Sequence, residues 1–158
     1  MGLVDSVRQG LDSTCVAQGS LVKAGCRVSL GGAPDQRLVL DFDRPEAPTG
    51  PGGGRCDYLF VADDFRNTDW VAPIECKRGA LKTSQVVKQL RAGAAVAEDL
   101  IPSGSDFRFR PIAATGSVPK AERQQLKKSR NFIRCHGKLE AVRLIKCGDK
   151  LIKGLSSP

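Results

Sequence analysis

Two short apolar runs flanking a polar turn constrain this chain most: Cys56-Asp57-Tyr58-Leu59-Phe60-Val61-Ala62 and Trp70-Val71-Ala72-Pro73-Ile74-Glu75-Cys76-Lys77, joined by Asp63-Asp64-Phe65-Arg66-Asn67-Thr68-Asp69. Runs this short, rich in aromatic and β-branched residues and bounded by Asp and Asn, read as the two strands of a hairpin. If the hairpin turns symmetrically about Arg66, Asp57 falls opposite Glu75, each nine positions from the centre. Side chains alternate along a strand, so Glu75 and Lys77 share one face while Ile74 and Cys76 turn toward the core. Two carboxylates and an amine are thereby brought to one surface.

Like charges directly across a strand pair repel, and a fold tolerates them when a cation or a proton compensates. Hard oxygen ligands open to water suit Mg2+ or Mn2+, with Asp57 and Glu75 as ligands and the Cys76 backbone carbonyl as a third. The Lys77 ammonium beside such an ion can stabilise charge on a phosphorane-like transition state or orient the attacking water. Asp41 and Asp43 form a rival acid pair, but no lysine stands two residues after either, and a strand edge or loop suits them better.

The surrounding pattern is α/β. Leu3, Val4, Val7, Leu11, Cys15 and Val16 recur at helical spacing and predict a first helix over 3–18. Residues 27–30 and 37–42 read as strands around the turn Gly31-Gly32-Ala33-Pro34-Asp35, which predicts a hairpin. Residues 43–55 carry three prolines and four glycines and read as a mobile loop beside Asp57. Val86, Val87, Leu90, Ala94, Ala97 and Leu100 predict a helix over 83–100, with Thr83 or Ser84 as its N-cap and Pro102 beyond its end. A later strand follows at 107–114. A short basic helix at 119–128 comes next, then a terminal strand pair, 132–135 and 139–147, turned at His136-Gly137-Lys138. No internal repeat interrupts the series, so residues 1–158 are read as a single domain.

Asp57 at the start of one strand, Glu75-Cys76-Lys77 on the next and a following helix with Gln85 and Gln89 resemble the PD-(D/E)XK nuclease superfamily. The resemblance covers roughly residues 3–115. It implies a restriction-endonuclease-like fold: a core in the order helix, three strands, helix, strand (αβββαβ), with a central mixed sheet flanked by helices and, here, a basic C-terminal β extension. It also implies that Asp57 and Glu75 bind metal, that Lys77 assists catalysis, and that a helix glutamine contacts the site, Gln89 first and Gln85 second. No proline precedes Asp57, and a first-helix glutamate found in many members is missing, with Asp5 or Asp12 as substitutes.

Charge points to the partner. The formal net charge is +8, yet residues 1–106 hold 12 Lys/Arg against 14 Asp/Glu, whereas residues 107–158 hold 13 against 3. A basic last third favours a polyanion, and Arg108, Arg110, Lys120, Arg123, Lys127, Lys128, Arg130 and Arg134 are the candidates to track a phosphate backbone. With aromatics at 5%, base stacking is limited, so sequence specificity is expected to be weak. The function expected is metal-dependent phosphodiester hydrolysis, on DNA rather than RNA. The alternative is a non-catalytic nucleic-acid-binding or protein-interaction subunit of a larger assembly that retains the nuclease fold. One site cuts one strand, so duplex cleavage calls for a homodimer or a larger complex. No apolar run approaches the ~20 residues that span a bilayer, and no membrane partner is expected. Six cysteines without close spacing read as reduced thiols of a cytoplasmic protein, and His136 as a surface or phosphate-facing residue.

Overall fold

The computed structural model describes residues 2–156. In chain order these form α1 (Leu3–Gln9), β1 (Leu21–Lys23), β2 (Cys26–Val28), β3 (Arg37–Asp41), β4 (Tyr58–Ala62), β5 (Asp69–Ala80), α2 (Thr83–Leu100), β6 (Phe107–Phe109) and β7 (Ile112–Ser117). They continue with α3 (Lys120–Leu126), β8 (Ile133–Cys135), β9 (Lys138–Glu140), β10 (Arg143–Lys146) and α4 (Leu151–Ser156). A central mixed sheet runs β10-β7-β5-β4-β3, with β6 paired to the start of β5. β3, β4 and β5 are antiparallel neighbours, while β7 lies parallel to both β5 and β10. The fold is mixed α/β, a central sheet flanked by helices.

Every residue of β4 is buried, as a strand covered on both faces requires. On one face Leu38, Leu40, Leu59, Val61, Val71 and Ala113 pack against α1 and α2 through Val4, Val7, Val86, Val87 and Leu90. On the other, Val39, Tyr58, Phe60, Ile74, Ile112 and Ile145 meet the β1-β2 hairpin and α4 through Leu21, Val28, Leu151 and Leu155. β6 and β7 keep one register along β5 and are parted by Arg110-Pro111, where proline has no N–H to give. They form one interrupted strand over the 107–114 segment expected to be extended.

Several expectations are corrected. The first helix ends at Gln9, because Gly10 takes its C-cap and Asp12 then caps a separate 3-10 turn at Ser13–Cys15. The segments 27–30 and 37–42 do not pair. β2 turns instead onto β1 across Ala24 and Gly25, both at positive φ as a two-residue hairpin turn demands, and β3 pairs with β4. The Gly/Pro loop, largely exposed, touches α2 at Gly50 and Gly54: a Cβ on Gly50 would lie 2.9 Å from the Ala92 carbonyl oxygen, so absent side chains let the loop approach the helix. In the last segment β8 pairs with β9 around His136 and Gly137, but residues 143–146 leave that hairpin and become an edge of the main sheet. Leu144 and Ile145 there meet the two opposite cores. Finally, Cys26 and Cys147 form a disulfide joining β2 to the end of β10, and Cys15, Cys56, Cys76 and Cys135 remain free and buried. No helix among the described residues is long and apolar enough to cross a membrane.

Candidate active site

The β4-β5 ladder pairs Tyr58 with Ile74 and Ala62 with Trp70. The same register extended by one residue sets Asp57 against Glu75. Their link is reciprocal: the Asp57 amide donates to Glu75 Oε1 at 3.1 Å, and the Cys76 amide donates to Asp57 Oδ2 at 2.7 Å. Neither acid has a cationic side chain within ion-pair distance among the described residues. Burial, reinforced by the Asp57 charge, pushes the Glu75 carboxyl up to about 8, and burial also raises Asp57 against the pull of the Cys76 amide. Burial lifts the Cys76 thiol to about 12 and Cys56 well above its ordinary value, so both flanking cysteines stay protonated.

The arrangement contrasts with the neighbouring acids. Lys23, which no motif or spacing singles out, reaches from the end of β1 to sit 2.6 Å from both Asp41 Oδ1 and Asp43 Oδ2, over the Tyr58 ring. These contacts hold the Asp41 carboxyl low and the Lys23 ammonium high, despite the burial that opposes both. Of the two acid pairs at this end of the sheet, one has its cation in the fold and the other does not.

Asp57 and Glu75 are the acids here that could hold a divalent ion. N–H and C=O of one strand residue face the same neighbouring strand, so the Cys76 carbonyl projects, like its amide, toward the edge where β4 pairing has stopped. Asp57, Glu75 and that carbonyl supply hard oxygens from one side, the donor type Mg2+ and Mn2+ take. Among the described residues no group of three or more His, Cys, Asp or Glu side chains converges as a metal cage. Asp5 is exposed on α1 and Asp12 is engaged by Thr14, so neither joins the site.

α2 closes the site from above. A Cβ on Gly93 would come 3.1 Å from the Pro73 side chain and would overlap Cys56 Sγ, and eight residues earlier Gln85 Oε1 accepts from Lys77 Nζ at 3.2 Å. Gln89 lies between these points on α2, half-buried and without a hydrogen bond to another described residue. Gln85, the second choice on sequence, is thus the partner of Lys77. The expected N-cap role does not fall to Thr83 or Ser84; instead Glu122 of α3 accepts the Thr83 amide.

Of the expected phosphate-tracking residues, Arg108 and Arg110 lie apart from the rest. Both lie at the other end of β5 and on its opposite face, where the Arg108 guanidinium stacks 3.3 Å from the Trp70 ring centre and donates to the Thr68 carbonyl. Arg110 sits 3.6 Å from Glu140. The alternation Phe-Arg-Phe-Arg sends them away from the helices, but that face is covered too. Lys120, Arg123, Lys127, Lys128, Arg130 and Arg134 are all exposed, on α3 and the segment after it, which Arg91 of α2 ties down through the Arg130 and Phe132 carbonyls. His136 is not phosphate-facing: its Nε2 lies 2.9 Å from the Ile101 carbonyl.

No family model matches the sequence, no curated protein matches it, and no solved structure matches the fold.

Proposed function

We propose that this chain is a divalent-metal-dependent nuclease of the PD-(D/E)XK type, with a restriction-endonuclease-like core, hydrolysing phosphodiester bonds in DNA. One observation carries the reading: Asp57 and Glu75 are opposed on adjacent strands without an internal cation, and Lys77 stands two residues on along the same face. The element order α1, β3-β4-β5, α2, β7 agrees with what the resemblance implies. Six exposed cations on and after α3 favour a polyanionic substrate.

Asp57, Glu75 and the Cys76 carbonyl would hold Mg2+ or Mn2+, which supplies Lewis acidity and a water of lowered pKa. Gln85 steadies the Lys77 ammonium by accepting one of its protons, leaving two N–H bonds for a non-bridging phosphate oxygen or the attacking water. Gln89 offers an unengaged amide to the substrate backbone. Burial on both faces of the sheet keeps water away from the acids except where substrate would arrive.

The test is cleavage of supercoiled plasmid and of single-stranded DNA in Mg2+ or Mn2+ beside Glu75→Ala. Cleavage lost in the variant supports the enzyme. DNA binding with no cleavage by the wild type in either metal would favour the non-catalytic subunit instead.

A further inference from the structure

The ladders of β5, β7 and β10 align Lys77, Thr115 and Lys146 in one row, because Lys77 pairs with Thr115 and Thr115 with Lys146. Residues in register across parallel strands share a face, and here it is the face of α2 and α3: Ala113 and Leu144, two residues earlier on β7 and β10, both pack into that core. Beyond Lys77 the row opens into a cavity of about 160 Å³ at the C-terminal ends of β7 and β10. Thr115, Gly116, Ser117, Arg123, Lys146 and Lys153 contribute to its lining. Asp149 lies there as well and accepts from Lys153 Nζ at 3.3 Å and from the Lys146 amide at 2.8 Å. With three cations and one acid, the cavity carries a net charge of +2.

Arg123 and Lys146 have no carboxylate within ion-pair distance among the described residues, and both side chains are exposed. Thr115 is committed, since its hydroxyl donates to the Gly79 and Ser117 carbonyls, but the Ser117 hydroxyl makes no hydrogen bond to another described residue. A guanidinium, an ammonium and a hydroxyl facing one small hollow suit a tetrahedral oxyanion. Walls from Val118, Leu144 and Ile145 lower the local dielectric and strengthen those charges.

We infer that this cavity is a second phosphate subsite, which takes a phosphate of the same nucleic-acid strand whose scissile bond lies at Lys77. The inference rests on the nuclease reading for the identity of the strand, but not for the affinity of the cavity for phosphate. Two strand spacings separate Lys77 from Lys146, about 10 Å. Since a B-form strand carries one phosphate per ~3.4 Å of axis, the subsite falls roughly two or three nucleotides from the cut. It fixes the direction in which the strand lies across the sheet, from Lys77 over β7 and β10.

The experiment follows the Gly116, Ser117 and Lys146 amides by 15N NMR of the intact, metal-free protein. Three probes are titrated: inorganic phosphate, a 5'-phosphorylated trinucleotide and its 5'-hydroxyl form. Saturable shifts at these amides with phosphate, abolished in Arg123→Ala/Lys146→Ala but not in Lys138→Ala, are expected. Equal shifts from both trinucleotides identify an internal phosphodiester as the ligand, and shifts from the phosphorylated form alone identify a terminal phosphomonoester; both support the subsite. Unshifted amides, or shifts that persist in the double variant, overturn it. An unchanged spectrum elsewhere establishes that the variant is folded. In a cleavage assay the double variant should raise KM about tenfold with kcat within about twofold, and lower the salt slope of DNA binding by about one. A protein that binds phosphate here yet never cleaves DNA would refute the nuclease reading and leave the subsite standing.

Discussion

Glu75→Gln should make the metal-free protein more stable while abolishing the proposed cleavage of DNA. The glutamine keeps an oxygen to accept the Asp57 amide and places an NH2 where it can donate to the Asp57 carboxylate, so both bonds of the site survive the change. What disappears is a charge that burial and Asp57 oppose. Glu75 lies at about 8 in the fold against an ordinary 4.5, and each tenfold change in proton affinity corresponds to about 1.4 kcal/mol. The ionised form therefore costs the fold on the order of 5 kcal/mol at its fullest, less what solvent screens at a site that is not fully buried. Because the folded-state value is raised, this contribution favours the fold below about pH 4.5 and is lost progressively as the pH climbs through about 8. Urea unfolding in EDTA should find wild type and variant nearly equal near pH 4.5, and the variant ahead by roughly 2–4 kcal/mol near pH 8.5. Adding Mg2+ at about a hundred times its Kd should return about 2.7 kcal/mol to the wild type and nothing to the variant. A variant less stable than the wild type near pH 8.5 in EDTA would refute the electrostatic reasoning.

Lys77→Met should cut kcat by about 100-fold or more while leaving Mn2+ affinity within a few-fold, as calorimetry and single-turnover cleavage would show, because it removes charge stabilisation and no metal ligand. Gly93→Val should lower stability by about 2–4 kcal/mol in thermal unfolding, since even its first carbon would overlap Cys56 Sγ between α2 and the start of β4. Dithiothreitol, or Cys26→Ser/Cys147→Ser, should cost about 3–5 kcal/mol of unfolding free energy, because the bridge closes a loop across 121 positions. Lys23→Met should leave Asp41 and Asp43 with only the more exposed Arg44 and Arg55 as cationic partners and destabilise the fold by about 1–3 kcal/mol, measurably less at a pH low enough to protonate both acids.

The active-site register was readable because a symmetric turn carries its own arithmetic: once Arg66 is taken as the centre, Asp57 and Glu75 follow. The α2 face was readable for the same reason, since a period in apolar residues is a local property. Long-range pairings were not. The turn signals around Gly31 are genuine, yet they connect β2 on one layer to β3 in another, and nothing local distinguishes that from a hairpin. The true β1-β2 turn hides in Ala24-Gly25, because a non-glycine at positive φ leaves little trace in composition. Lys23 and the Cys26–Cys147 bridge depend on residues 18 to 121 positions apart, which spacing cannot reveal. The placement of Arg108 and Arg110 was not readable for a physical reason: pointing away from one core is not pointing into solvent when the sheet has a second covered face.

The account stands on a divalent cation between Asp57 and Glu75, and anomalous diffraction from crystals soaked in Mn2+ near neutral pH would test it most directly. It predicts one strong peak at about 2.0–2.3 Å from a carboxylate oxygen of each acid and from the Cys76 carbonyl, absent from Glu75→Gln crystals. A saturated soak with no peak there, and with the two acids still joined through the Asp57 and Cys76 amides alone, would contradict it.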